Sequence, residues 1–199
     1  MLVHGLILAG GRSSRFGADK ALAALAGRPV IAHVARALNS CADILAVAGG
    51  RDAAMVLGIR LLPDPPGCPS GPLAGVLAGL QWAEEAGADW LVTAPCDVPL
   101  VPAAMGERLI EAAMAKDAKL AIAWTGGDSH PLCGAWRPRL RARLAEALRG
   151  GTHPAVRRFA MEMAAIEVQF PEPERFSNLN TVAELKAAER YLENRHAHD

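Results

Sequence analysis

A glycine-rich, basic loop follows the first apolar run of the chain. Residues 6–22 read LILAGGRSSRFGADKAL, so two adjacent glycines precede Arg12, Arg15 and Lys20. Glycine permits positive φ and a close approach of the backbone to a ligand, and arginine and lysine donate hydrogen bonds to phosphate oxygens. We therefore predict that this loop binds the phosphates of a nucleoside triphosphate. The alternative is a solvated basic turn between a strand and a helix.

The residues of this loop have different predicted roles. Lys20 is the first catalytic candidate, because its ammonium can reach the α- and β-phosphates and stabilise the charge that develops as pyrophosphate leaves. Arg15 is predicted to hold the outgoing phosphates, and Gly10 and Gly11 to turn backbone N–H groups towards the nucleotide. Arg12 is predicted to be a rim residue.

A carboxylate follows another apolar run. Asp97 lies in PCDVP (95–99), directly after a run of strand length at 90–94. Mg²⁺ typically takes one or two carboxylates and fills its other positions with phosphate oxygens and water. Asp97 is therefore predicted to bind Mg²⁺. The alternative is a turn aspartate that accepts backbone hydrogen bonds.

Further candidates lie between the predicted helices and strands. Asp64 could hydrogen-bond a base or a sugar, or merely stabilise its Pro-Asp-Pro turn. Gly71 precedes a helix start whose free N–H groups could bind an anion or a base edge. His130 could line a second substrate pocket or be a structural turn histidine. Asn178 and Asn180 could bind phosphate or ribose, or cap the last helix.

Apolar runs and helical spacing alternate along the chain, which predicts one α/β domain over residues 1–199. Predicted strands cover 3–8, 44–48, 90–94 and 120–124, and predicted helices cover 29–40, 72–86, 102–116, 138–149 and 181–194. Thr181 and Glu184 have the spacing of a capping box at the start of the last helix. Ligands of open α/β sheets bind at the carboxyl ends of the strands, so these candidates belong at the site.

Composition narrows the class of protein. The chain has 199 residues, half of them apolar (51%), with 21 basic and 21 acidic side chains. This balance argues against a general nucleic-acid binder. No long uncharged apolar run and no signal-like start is present, so we expect a soluble cytoplasmic protein without a membrane partner. The four cysteines lack C-x-x-C spacing, which argues against a disulfide framework or a structural zinc site.

The opening loop differs from two common phosphate loops. Lys20 follows Asp19 and precedes Ala21, so the Lys-[Ser/Thr] end of a P-loop is missing, and adjacent glycines do not fit G-x-G-x-x-G. The string L-x-G-G-x-x-x-R-x-G-x-D-K resembles the signature of the molybdenum cofactor guanylyltransferases and related nucleotidyltransferases. The resemblance spans most of the chain, because further family motifs follow in the same order: PD (63–64), GPLAG (71–75), CDVP (96–99), HPL (130–132) and NLNT (178–181).

The resemblance implies a Rossmann-like three-layer α/β sandwich with a mostly parallel sheet and helices on both faces, as in nucleotide-diphospho-sugar transferases. It implies transfer of GMP from Mg-GTP to the terminal phosphate of molybdopterin, with release of pyrophosphate. The implied cofactor is Mg²⁺, and the implied protein partners are transiently bound molybdoenzymes or cofactor-insertion proteins. The implied nucleotide contacts are Leu8, Ala9, Gly10, Gly11, Lys20, Asp64, Gly71 and Asp97, and the implied pterin contacts are His130, Asn178 and Asn180.

One departure from the family bears on base selectivity. Some members place asparagine at the end of the second strand, where this chain has Ala48-Gly49-Gly50, so that side-chain contact cannot be carried over. The alternatives are a cytidylyl- or sugar-phosphate nucleotidyltransferase of the same superfamily, or a non-catalytic nucleotide- or pterin-binding module. Leu-Ala-Gly-Gly resembles the guanylyl branch and favours GTP. Lys20 and Asp97 argue against a module that only binds.

Overall fold

A seven-stranded sheet forms the centre of the molecule. The computed structural model describes residues 1–10, 20–149, 151 and 153–196. Two very short strands form a separate hairpin, and the other seven form the central sheet. In chain order the strands are β1 (Val3–Leu8), β2 (Ala24–Leu25), β3 (Arg28–Pro29), β4 (Ile44–Ala48), β5 (Arg60–Leu62), β6 (Trp90–Pro95), β7 (Leu120–Thr125), β8 (Asp128–Trp136) and β9 (Ile166–Gln169).

The sheet is mostly parallel, with strand order β5-β4-β1-β6-β8-β7-β9. β1 pairs in parallel with β4 and β6, and β9 pairs in parallel with β7. β8 lies antiparallel between β6 and β7, so it runs against the other six strands of this sheet. The carboxyl ends of β1, β4 and β6 consequently meet at one edge.

Helices cover both faces of the sheet. In chain order they are α1 (Val30–Leu38), α2 (Arg51–Leu57), α3 (Pro72–Glu85), α4 (Met105–Ala115), α5 (Arg141–Leu148), α6 (Val156–Glu162) and α7 (Val182–His196). One hydrophobic cluster joins α1, α2 and α4 to the sheet, and a second joins α3, α5 and α6. Alternate residues of β1 divide between them, with Ile7 in the first and Leu6 and Leu8 in the second. The predicted three-layer α/β fold is confirmed.

The last helix packs outside these two clusters. Leu179 and Ala188 are buried together with Leu25, Val30 and Leu100 in a small cluster of their own. This cluster docks α7 against the hairpin β2–β3, which follows Lys20 in the chain. No helix among the described residues is long and apolar enough to cross a membrane.

The sequence predicted part of the element list. All four predicted strands and four of the five predicted helices form close to their expected bounds. The predicted helix 138–149 is instead a 3₁₀ turn, Pro138–Leu140, followed by α5. Helices α2 and α6 and strands β2, β3, β5, β8 and β9 were not predicted. β8 corrects the expectation that His130 lies in a loop, because Gly126 and Gly127 make the turn and Asp128 already begins the strand.

Candidate active site

The carboxyl ends of three strands form the floor of the site. The backbone N–H of Ala9 donates to the carbonyl of Ala48 over 2.9 Å, and the N–H of Cys96 donates to the carbonyl of Leu8 over 3.0 Å. These bonds continue the ladders beyond β1, β4 and β6. They bring Leu8 and Ala9 to the same edge as the chain that leads into Asp97.

Lys20 and Asp97 are paired at this edge. Nζ of Lys20 donates to Oδ2 of Asp97 over 2.9 Å and to Oδ1 of Asn180 over 2.6 Å. The Lys20 side chain is 10% exposed and that of Asp97 is 25% exposed, so the lysine is the more buried partner of the pair. The structure thus brings together three predicted site residues from distant parts of the chain.

The loop before α7 is bound to the same place. The backbone N–H of Leu179 donates to the carbonyl of Asp97 over 2.8 Å. The predicted capping box forms: Oγ1 of Thr181 accepts the N–H of Glu184 over 3.2 Å, and Oε2 of Glu184 accepts the N–H of Thr181 over 2.7 Å. The carboxylate of Glu184 also accepts the backbone N–H of Asn180, and this hydrogen bond lowers the pKa of Glu184 most strongly, with a smaller contribution from Thr181.

A pocket of about 300 Å³ opens beside the pair. Asp97, Ser129, His130 and Asn178 line it together with apolar side chains. Nε2 of His130 shares a hydrogen bond of 2.7 Å with Oγ1 of the buried Thr125. Burial lowers the pKa of His130, with a smaller opposing effect from Asp128, so the neutral imidazole is favoured. Two of the three predicted pterin contacts, His130 and Asn178, therefore line one pocket with Asp97.

Ser129 was not singled out from the sequence. Its hydroxyl oxygen is buried and has no hydrogen-bond partner among the described residues. A buried hydroxyl without a partner is costly, and a polar ligand in this pocket would provide one. Nothing in the local sequence distinguishes Ser129 from an ordinary strand serine.

Two backbone segments approach each other closely at the end of β4. Gly49 has φ +82°, and a Cβ built on it would lie 2.7 Å from the Cα of Gly10. The Ala48-Gly49 segment and the Ala9-Gly10 segment therefore contact each other through backbone alone. Glycine at position 49 is required both by its φ and by this approach.

The start of α3 is covered by a histidine that sequence reasoning missed. The backbone N–H of Leu73 donates to Nε2 of His153 over 3.1 Å, and a side chain at Gly71 would collide with the same imidazole. Since a backbone N–H can only donate, Nε2 is unprotonated and accepts. A nucleotide that binds this helix start must displace the imidazole. The contact predicted at Gly71 stays a prediction.

Asp64 lies elsewhere in the structure. It lines a separate groove of about 260 Å³ with Arg60, Gln81, Trp82 and Glu85, between β5 and α3. This groove shares no lining residue with the Asp97 pocket. A nucleotide contact through Asp64 stays a prediction.

Part of the predicted loop lies outside the described residues. This applies to Gly11, Arg12 and Arg15, whose predicted contacts with phosphate stay predictions. Gly10 and Lys20 are the described residues on either side of that segment, and Lys20 is the strongest catalytic candidate from the sequence.

The donor set fits a cation that the substrate helps to bind. No group of three or more histidine, cysteine, aspartate or glutamate side chains gathers within the described ranges. Asp97 provides one partly exposed carboxylate, of which Oδ2 already accepts a hydrogen bond from Lys20. One carboxylate beside phosphate oxygens and water is a typical Mg²⁺ environment.

Comparison with known proteins identifies the family. The family model described as the MobA-like NTP transferase domain matches residues 5–165. The chain belongs to this family. Among full-length relatives of this MobA-like chain, a molybdenum cofactor guanylyltransferase of Cereibacter sphaeroides is 42% identical over 193 residues, covering 96% of this chain and 98% of that protein.

Solved structures share the fold of this MobA-like domain. Molybdopterin-guanine dinucleotide biosynthesis protein A from Archaeoglobus fulgidus has a TM-score of 0.73 at 21% identity, covering 96% of this chain and 99% of its own. A Mycobacterium tuberculosis protein in complex with manganese has a TM-score of 0.66 at 16% identity, covering 96% and 98%. At these identities the likeness shows the fold alone.

Proposed function

We propose that this chain is a molybdenum cofactor guanylyltransferase, which joins GMP from GTP to the terminal phosphate of molybdopterin and releases pyrophosphate. The observation that carries the proposal is the Lys20–Asp97 pair, 2.9 Å apart, whose carboxylate lines the same pocket as His130 and Asn178. The 42% identity over 193 residues to a relative of that name supports the same reaction.

The proposed reaction needs no covalent enzyme intermediate. A terminal phosphate oxygen of molybdopterin attacks the α-phosphorus of GTP, a new P–O bond forms, and the bond to the β-phosphate breaks with pyrophosphate as the leaving group. The chain contributes positioning and charge. Lys20 stabilises negative charge on the α- and β-phosphates, and Arg15 is proposed to hold the departing pyrophosphate.

We propose Mg²⁺ as the cofactor, held by Asp97 together with phosphate oxygens of the nucleotide. When bound there, the cation neutralises triphosphate charge and polarises the α-phosphate. Because Lys20 already donates to Oδ2 of Asp97, the same carboxylate aligns the ammonium and the cation site. His130 and Asn178 are proposed to orient the acceptor through the pocket that they share with Asp97.

The nucleotide base is proposed to lie over the ends of β1 and β4. Leu8, Ala9 and Gly10 supply backbone there, and Gly49 meets Gly10 without a side chain. Selectivity for guanine must then depend on backbone groups and on loops near Gly71 and Asp64.

Pyrophosphate release tests the proposal. Purified protein is incubated with Mg²⁺ and molybdopterin, and GTP, CTP and ATP are compared. Release with GTP alone supports the guanylyltransferase. Preference for CTP would assign the chain to the cytidylyl branch, and no release with any nucleotide would favour another acceptor or a module that only binds.

A further inference from the structure

The orientation of the Asn180 amide is fixed by its contact with Lys20. Oδ1 of Asn180 lies 2.6 Å from Nζ of Lys20. An ammonium carries only donors, so the amide oxygen and not the amide nitrogen must face it. The two residues are 160 positions apart, and their contact joins the start of the domain to its last loop.

The backbone at Asn180 is held from both sides. Its N–H donates to Oε2 of Glu184 over 2.5 Å, within the capping region of α7. On the other side, the N–H of Leu179 donates to the carbonyl of Asp97, and the Leu179 side chain is 2% exposed in the cluster with Leu25. The amide oxygen is therefore presented to Lys20 by a loop that is anchored on both sides of Asn180.

Asn180 is an uncharged hydrogen-bond acceptor, so its effect on Lys20 differs from that of the Asp97 carboxylate. Asp97 fixes Lys20 but also offsets its positive charge, whereas Asn180 accepts a hydrogen bond and leaves the charge available to phosphate. The two partners together define where the ammonium stands. The part of the chain that supplies Asn180 lies beyond residues 5–165, which the family model matches.

We propose that Asn180 is a positioning residue for Lys20, and that the segment before α7 completes the site of the MobA-like domain. The inference rests on the proposed function for its kinetic consequence, because Lys20 must act on the triphosphate. The sequence predicted that Asn180 contacts the pterin substrate. This role remains open to its amide nitrogen, which faces away from Nζ and can still donate a hydrogen bond to a phosphate.

The first experiment measures the contact without turnover. The chain has only four lysines, 20, 116, 119 and 186, so the ¹⁵N-labelled ammonium signal of Lys20 is assigned by its loss in Lys20→Arg. Asn180→Leu, similar in size but without an acceptor, is expected to shift this signal or broaden it by faster exchange. An unchanged signal in folded Asn180→Leu and Asn180→Ala would overturn the proposal. Thermal unfolding of both variants verifies their folding.

The second experiment is a double-mutant cycle on kcat for pyrophosphate release. Asn180→Leu is expected to lower kcat about 10- to 100-fold, the range for a lost hydrogen bond to a charged group. In the Lys20→Ala background the same change should cost less than about 3-fold, because its target is gone. Equal losses in both backgrounds would overturn the positioning role. If the wild-type chain releases no pyrophosphate, the proposed function fails, and the ammonium signal alone decides the contact.

Discussion

The ammonium of Lys20 and the carboxylate of Asp97 are paired in the free chain, 2.9 Å apart and 77 positions apart in sequence. The pair joins the end of the glycine-rich loop to the end of β6. An ammonium that already stands beside its carboxylate requires little rearrangement when triphosphate arrives, which is how preorganised charge contributes to catalysis. In the proposed reaction, these two charges are therefore in place before substrate binds.

Removing either charge should affect turnover far more than folding. Lys20→Ala and Asp97→Ala are each expected to lower kcat about 10²- to 10³-fold, the usual loss for one group that stabilises developing charge. The free energy of unfolding should change by about 1 kcal/mol for Lys20→Ala, which leaves a partly exposed carboxylate, and by about 1 to 3 kcal/mol for Asp97→Ala, which leaves a largely buried ammonium. Pyrophosphate release and chemical denaturation measure the two effects.

A surface ion pair provides the matched control for these variants. Nη1 of Arg143 lies 3.0 Å from Oε2 of Glu146, and both side chains are more than half exposed. Arg143→Ala should change neither kcat nor stability measurably. Near-normal turnover of folded Lys20→Ala or Asp97→Ala would overturn their assignment to the reaction.

His130 should affect the acceptor and not the nucleotide. His130→Ala removes a pocket-lining ring that contacts Thr125 and lies 5.1 Å from the ring of Phe176. We expect the KM for molybdopterin to rise about 10-fold, the equivalent of one lost hydrogen bond, while the KM for GTP stays unchanged. Thr125→Val, which removes only the partner of the imidazole, should shift the same constant less. Equal increases in both KM values would contradict a role for His130 on the acceptor side.

The sequence placed Lys20 and Asp97 at one site for a physical reason, but it did not predict their direct contact. Asp97 directly follows an apolar run of strand length, Lys20 ends the loop that follows another, and parallel strands bring their carboxyl ends to one edge. It could not predict that Asn180 joins them, because a contact over 160 positions depends on how α7 docks. That docking rests on a small cluster with Leu25 and Val30, which leaves no periodic signal of its own.

Other parts of the site escaped prediction because local pattern does not decide them. β8 begins with polar residues and contains Pro131, so its first half lacks the alternation typical of a strand. The orientation of the Asp64 side chain depends on how residues 63–66 line the groove beside α3. Proline-rich turns have no periodic pattern from which this orientation could be predicted. His153 reaches the start of α3 from 80 positions away, and only the fold shows this.

Alanine substitutions at Gly49 and Gly58 can distinguish the cost of backbone strain from the cost of a steric clash. Both have positive φ, +82° and +64°, but a Cβ at 49 would meet Gly10 at 2.7 Å, whereas a Cβ at 58 would meet no described atom within 4 Å. Gly58→Ala should cost about 1 kcal/mol from strain alone. Gly49→Ala should cost about 1 to 3 kcal/mol more through overpacking, and should also weaken GTP binding. Chemical denaturation measures the loss of stability, and calorimetric titration measures GTP binding. Equal GTP affinities of the two variants would contradict the predicted nucleotide position.

His4 should make the protein less stable in mild acid. It is fully buried in β1, its ring lies 4.0 Å from that of Trp82, and neither ring nitrogen has a hydrogen-bond partner among the described residues. Burial lowers its pKa below 6.5, an effect that Asp43 opposes and Arg60 reinforces. The unfolded chain therefore takes up a proton first, and stability falls as pH drops from the ordinary value through the lowered one.

Replacing His4 by an apolar side chain should reverse this effect. His4→Leu removes two unsatisfied nitrogens, each of the kind that costs about 1 kcal/mol or more when buried, and is expected to raise the free energy of unfolding at pH 8. The gain should be larger at pH 5.5, because only the wild-type chain has to keep a buried imidazole neutral. His4→Phe, which retains a ring against Trp82, should show the same pH trend. Urea denaturation across this range measures the difference between wild type and variant, and parallel curves would show that His4 carries no such cost.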